Sequence, residues 1–192
     1  RGIPVLPGTY QIVVRAGNHT DTTQVTVTAD PRFALSSKVD EQLYVYQKAV
    51  DQQAFRLSSL LTGLDQKIER LEKTLGYLQD IEKEAATTTQ QSIETMLVNI
   101  QQTRARGQTA RPNDRQLGAW QSYDVTAYTK TADAQRKAKA RVKVPSSQDW
   151  ETVDQAKVLI DIFEQDVDVF VRDTWRPFVA DLKKVGLLPA SE

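Results

Sequence analysis

The 192 residues contain no cysteine and only one histidine, His19. The first absence excludes a disulfide framework, a cysteine-based zinc site and a thiol nucleophile. The second excludes His-rich metal sites and leaves a Ser-His-Asp triad without support. Neither sign of charge is in excess, with 25 basic side chains against 25 acidic ones. A protein that reads phosphates across its surface needs a basic surplus, so nucleic acid is not an expected partner. No apolar run approaches the roughly 18 residues of a membrane span, so none is expected. No Gly-rich phosphate loop, Walker pattern or Gly-x-Ser-x-Gly elbow occurs. The residues from Arg1 onward do not show the basic-then-apolar pattern of a signal peptide.

What is present starts with a period of two. Tyr10, Ile12 and Val14 alternate with polar or outward positions, and Val25 and Val27 alternate with threonines. Such alternation predicts two strands with one buried and one wet face. Ala16 to Thr20 between them supplies the turn, and Pro7-Gly8 marks a turn before the first strand. Asn18-His19-Thr20 fits the glycosylation acceptor pattern, but Asn suits the turn on its own account. Two strands alone are marginal in water. The hairpin therefore reads as the end of a truncated β-sandwich, over residues 1–32, with its other strands outside this sequence.

From residue 33 to 192 the period changes to that of helices. Asp30-Pro31-Arg32 breaks the strand, and Ser36-Ser37 offers a cap ahead of Asp40 and Glu41. Apolar positions then run from Val39 through Leu43, Tyr46, Val50, Ala54 and Leu57 to Leu78, in steps of three and four. Leu57 to Leu78 is a strict heptad seam. Gly63 and Gly76 are points where this helix can break, with continuity expected through Gly63. Ala85 to Gln91 carries three consecutive threonines and is expected to be the reversal. A second helix follows, with Ile93, Leu97 and Ile100 on one face. Arg106 to Gly118 is expected to be a loop. A third helix is expected from about Ala119 to Val142, with a thin stripe at Trp120, Tyr123, Ala127, Ala134 and Ala138. Pro145-Ser146-Ser147 caps the last helix, whose seam is Val153, Ala156, Ile160, Phe163, Val167 and Phe170. Pro177 predicts a kink near Asp173 or a restart capped by Thr174. Trp175, Phe178 and Leu182 continue the apolar face until Gly186 ends it. The fold class is therefore mainly α, an antiparallel four-helix bundle preceded by a β-hairpin. Arg104 to Lys143 holds ten basic and three acidic residues, and Val144 to Asp173 holds eight acidic and two basic ones. These opposite blocks predict that the third and last helices lie side by side.

Candidate chemistry is sparse. The acidic ladder Asp161, Glu164, Asp166 and Asp168 has no histidine near it, so a solvated helix face is favoured over a metal site. No carboxylate pair carries a glycosidase signature. The basic run from Arg136 to Lys143 has no interleaved aromatics for base stacking, and the acidic helix offers it a neutralising partner. No catalytic residue, metal ligand or cofactor is assigned. The large aromatics Trp120, Trp150, Trp175 and Phe178 are the candidate interaction residues, although aromatics at helical spacing are more often core. The heptad seam is expected to face its own bundle rather than a second chain.

Two stretches carry a resemblance, Leu6-Pro7-Gly8-Thr9-Tyr10-Gln11-Ile12-Val13-Val14 and Val25-Thr26-Val27-Thr28-Ala29-Asp30-Pro31-Arg32. They resemble the C-terminal region of large secreted bacterial proteins with sortilin-like, BNR-repeat β-propellers, many of them labelled glycosyl hydrolases. Val144-Pro145-Ser146 and the Phe178, Leu182, Gly186-Leu187 stretch are similar too, whereas Thr87 to Gly118 has no counterpart. The resemblance implies an Ig-like hairpin followed by a helical tail, and a periplasmic, outer-membrane-associated or extracellular location. It brings no catalytic residue. The expected function is a non-catalytic C-terminal accessory module. Its partners would be other domains of the same parent protein and a protein ligand. The alternatives are a self-associating coiled-coil adaptor and a carbohydrate-binding or glycoside hydrolase-associated unit.

Overall fold

The computed structural model describes residues 5–29, 37–79, 84–108, 125–140 and 144–187. A two-stranded antiparallel hairpin comes first, β1 (Gly8–Ala16) and β2 (His19–Val27). Gly17 and Asn18 alone form the turn, tighter than the five residues expected. Gly17 takes φ +58°, and among the described residues no non-glycine has positive φ. Positive φ at only the first central position is the pattern of a type II′ turn, whose twist matches that of the strands. Tyr10 faces Val25 and Gly8 faces Val27 across the ladder. Directly opposed residues share a face, so Tyr10, Ile12, Val14, Val25 and Val27 form one apolar face as the alternation predicts.

The rest is helical: α1 (Ser37–Gln79), α2 (Glu84–Gln108), α3 (Ala127–Ala140), α4 (Ser147–Phe170), a π-turn (Val171–Trp175) and α5 (Arg176–Lys184). Together they make the four-helix bundle that follows the hairpin, although the helices do not alternate in direction as expected. α1 is 43 residues long, about 65 Å, and passes through both Gly63 and Gly76 without a break. Leu57, Leu64, Leu71 and Leu78 are all buried. That unbroken heptad contact holds the helix across the two glycines, because packing outweighs a local propensity deficit.

Three fixed points give the direction of α4 relative to α1. Tyr46 meets Trp150, Arg56 meets Asp161, and Lys67 lies over Trp175. The pairs ascend together, so the two long helical rods run parallel. α2 and α3 both run against α1, one after the other. Arg104, late in α2, pairs with Asp65 in the middle of α1. Gln47, early in α1, donates to the Ala138 carbonyl late in α3. The core divides accordingly. Leu57 to Leu78 packs with Ile93, Met96 and Ile100 of α2 and with Ile160 to Phe170 of α4. Tyr46 and Val50 pack with Ala134 and Ala138 of α3 and with Val153. Small residues on α3 let it sit close, as its thin stripe predicts.

Several expected boundaries move. The threonine-rich stretch is not the reversal: α2 already begins at Glu84. Just beyond the stretch, Ser92 donates to Thr88 O and Thr95 to Gln91 O along the same helix. The burial of Ile93, Met96 and Ile100 then supplies the tertiary support that propensity lacks. Likewise Arg106 to Gln108 belong to α2 rather than a loop. The remaining expected loop lies outside the described residues. The third helix starts at Ala127, not Ala119, because Val125 and Thr126 are non-helical. Thr126 and Thr129 cap each other there. The Thr129 N–H donates to Thr126 Oγ1 at 3.0 Å, and the Thr126 N–H donates to Thr129 Oγ1 at 2.9 Å.

At the start of α4, the Asp149 carboxylate accepts from the Ser146 N–H at 2.8 Å and from its hydroxyl at 2.6 Å. This is a capping box with Asp in the third helical position. At the far end the chain neither stops nor restarts at Thr174. A π-turn carries it through, with the Arg176 N–H bonded to Val171 O and Arg176 itself helical. The wider turn accommodates Pro177, which has no N–H to donate. Gly186, at φ +76°, ends α5 as expected. Its N–H donates to Lys183 O, and the Leu187 N–H donates to Leu182 O, both at 3.1 Å. That pair of bonds is a Schellman motif.

Candidate functional site

The aromatic candidates do not form one site. Trp150 is half-buried and stands edge-on to fully buried Tyr46, with centroids 5.3 Å apart and planes at 81°. Trp175 is 9% exposed and packs on Phe178 at 6.2 Å. Trp150 and Trp175 lie 25 positions apart on one continuous helical rod, about 37 Å. Trp120 lies outside the described residues. The structure thus brings Trp175 and Phe178 together and keeps Trp150 at the other end. All three pack against the core clusters.

Lys67 sits over Trp175, its Nζ 5.6 Å from the ring centroid and donating to Gly63 O at 3.2 Å. Burial pushes its pKa below the usual lysine value. A cation held over an indole face is attracted by the ring quadrupole. This contact ties the π-turn to the middle of α1.

The acidic ladder is mostly engaged. Arg56 donates to Asp161 at 2.8 Å and to Glu164, and Lys157 donates to the other Asp161 oxygen at 2.8 Å. The hydrogen bonds from Lys157 and Arg56 hold the Asp161 carboxyl below its ordinary pKa. Asp168 is exposed. Among the described residues no group of three or more His, Asp or Glu side chains is placed to hold a metal ion. Two residues of the basic run are also paired. Arg136 and Lys137 both pair with Asp133. Lys137 also donates to Thr152 Oγ1 of α4 at 2.7 Å. α3 and α4 lie side by side as the charge blocks predict, joined by Lys137 and by buried Ala134, Ala138 and Val153.

The sequence had not singled out Arg56, whose spacing places it one residue before the seam position Leu57. An arginine beside a seam is the signal for such a bridge to a neighbouring helix. A shallow groove also opens where α1, α2 and α3 meet. It is lined by Leu61, Asp65, Arg104, Tyr128 and Thr131 among others, and the Arg104–Asp65 pair at 2.6 Å closes one wall.

An exposed apolar surface lies on the hairpin. Tyr10 is 37% exposed, Val25 40%, Ile12 44% and Val14 60%. These residues share one face, so an apolar patch stands open to solvent on a single hairpin. Comparison with family models, with curated proteins and with solved structures returned no match to this chain. Among the described residues no helix is long and apolar enough to cross a membrane.

Proposed function

We propose that the chain is a non-catalytic accessory module of a larger protein. Its hairpin completes a β-sandwich with strands from the parent polypeptide, and its helical bundle spaces the rest of that protein or presents a surface to a protein partner. The observation that carries this reading is the open apolar face of Tyr10, Ile12, Val14 and Val25. Soluble proteins seldom expose a contiguous apolar patch without a partner for it. A second support is that Arg56 bridges α1 to Asp161 and Glu164 of the acidic ladder, and Asp133 pairs with Arg136 and Lys137 of the basic run. The resemblance to the tails of secreted propeller proteins supports a periplasmic, outer-membrane-associated or extracellular location.

The 192 residues contain no cysteine, so a thiol introduced among them is read by peptide mapping. A single Ile12→Cys variant is labelled with a thiol reagent, first in the 192-residue chain and then in the parent polypeptide. The expected result is rapid labelling in the first and slowing by more than about tenfold in the second. Equal rates in both would overturn the proposal.

A further inference from the structure

α4 carries a second seam on its outer side. Its buried stripe is Val153, Ala156, Ile160, Phe163, Val167 and Phe170. On the opposite side Gln155, Val158, Ile162, Gln165 and Val169 also follow steps of three and four, the period of a coiled-coil contact face. All five are exposed, Val158 at 55%, Ile162 at 39% and Val169 at 49%. None belongs to either core cluster of the bundle. Branched aliphatic side chains lose χ1 freedom in a helix, and on a bare solvent face they bury nothing in return.

The flanks of this seam are acidic. In the heptad the flanking positions are Asp154, Asp161 and Asp168 on one side, and Leu159, Asp166 and Asp173 on the other. Arg56 and Lys157 neutralise Asp161, and Arg172 neutralises Asp173. Asp154 and Asp168 stand exposed. From Glu151 to Val171 neither the outer seam nor its flanking positions contain a basic side chain.

Charge selects the occupant. A second copy of this face would oppose acid to acid and be repelled. An extended segment does not keep a 3.5-residue period over the roughly 20 Å from Gln155 to Val169, whereas a helix does. Lysine or arginine at the flanking positions of an apposed helix would meet Asp154 and Asp168, as flanking charges set partner choice in coiled coils.

We propose that the outer face of α4 docks a basic amphipathic helix of a partner protein. Its aliphatic residues lie against Val158, Ile162 and Val169, and its lysines or arginines against Asp154 and Asp168. The accessory-module reading, on which this rests, left the partner surface open, and the hairpin takes no part in it.

Fluorescence anisotropy with the 192-residue chain tests this. Two labelled three-heptad peptides share one leucine and isoleucine seam and differ only at the flanking positions, lysine in one and glutamate in the other. The lysine peptide should bind at least about tenfold more tightly, and added salt should narrow the gap. Asp154→Lys together with Asp168→Lys should reverse the preference. Val158→Asp and Ile162→Asp should each weaken the lysine peptide by about tenfold or more. Val158 is the more exposed of the two, so Val158→Asp should leave the melting temperature close to that of the unmodified chain. No saturable binding of the lysine peptide, or equal binding of the two peptides, would overturn the proposal and leave the hairpin reading to its own thiol test. Binding that survives both aspartate variants would place the peptide elsewhere on the chain, against the proposal. A dimer of the chain with exchange protection at Val158 and Ile162 would assign the face to a second copy, also against it.

Discussion

Gly107 of α2 faces the ring of Phe163 of α4 with no room for another carbon: a Cβ on Gly107 would stand 2.8 Å from the ring. Phe163 is 2% exposed and cannot swing away. This close approach is where α2 passes over α4. Gly107→Ala should therefore destabilise the bundle, the overpacking cost of about 1–3 kcal/mol outweighing the roughly 1 kcal/mol that Ala brings to a helix. Phe163→Leu should relieve part of the clash, so a double-mutant cycle in denaturant should show coupling of at least about 0.5 kcal/mol. Additive effects would mean the helices shift apart instead.

The glycines of α1 should behave in the opposite way. Nothing lies within 4 Å of a Cβ built on Gly63 or Gly76. Both sit inside a continuous helix. Replacing either by Ala should raise stability by about 0.5–1 kcal/mol, seen as a higher melting temperature. A loss at Gly63 would indicate that α1 needs to bend there.

The seams explain why most of the bundle was legible before the structure. Leu57 to Leu78 and Val153 to Phe170 announce themselves by spacing, and the structure buries both. Boundaries were less legible where polar side chains close a local bond that propensity scales do not see. Thr126 with Thr129 starts α3 late, and the burial of Ile93, Met96 and Ile100 lets a threonine run ahead of them be helical. Thr103 and Gly107 extend the buried α2 face beyond Ile100, yet no hydrophobicity pattern flags a threonine and a glycine as core. Among the described aromatic candidates Trp175 packs on Phe178 while Trp150 packs on Tyr46, an arrangement that spacing along one helix does not reveal. The hairpin's strands were legible, but the Tyr10 hydroxyl bond to the Leu6 carbonyl and the Asp21 bond to the Thr22 N–H appear only in three dimensions.

Acid should expose the Arg56 bridge. The Asp161 carboxyl has its pKa lowered in the folded state by hydrogen bonds from Lys157 and Arg56. A depressed carboxyl pKa stabilises the fold fully above the unfolded value of about 3.9, and the contribution disappears as pH falls through the folded pKa. Asp161 is 37% exposed, so solvent screening keeps the effect below about 1 kcal/mol. Melting temperatures measured from pH 6 down to pH 2.5 should fall less steeply for Asp161→Asn than for the parent chain. Parallel curves would show the bridge to be energetically silent.

The heptad seam should not make a dimer. Leu64 and Leu71 are 1% and 0% exposed inside their own bundle. Leu71→Ala should cost about 2–5 kcal/mol through the cavity it leaves. Light scattering should give a mass near 21.6 kDa before and after Leu71→Ala. A dimer that Leu64→Asp converts to folded monomers would reverse this and favour the adaptor.

The π-turn makes a sharper claim about register. The seam of α4 steps through Val153, Ala156, Ile160, Phe163, Val167 and Phe170, and the next steps in a regular helix would be Thr174, Pro177 and Asp181. The buried residues are instead Trp175 and Leu182, with Phe178 half-buried between them. One extra residue in the turn Val171–Trp175 shifts the face by one position, which is what a π-bulge does. Removing Thr174 together with Pro177→Ala should therefore restore a regular α-helix and keep Trp175 and Leu182 on the core. Removing Val158 from the middle of α4 would instead turn every later seam residue by about 100°. Circular dichroism and thermal melts should show the first variant folded, with its tryptophan emission still that of a buried ring, and the second unfolded or strongly destabilised. Equal damage from the two deletions would mean the turn is required for more than register, through the Lys67 contact with Trp175.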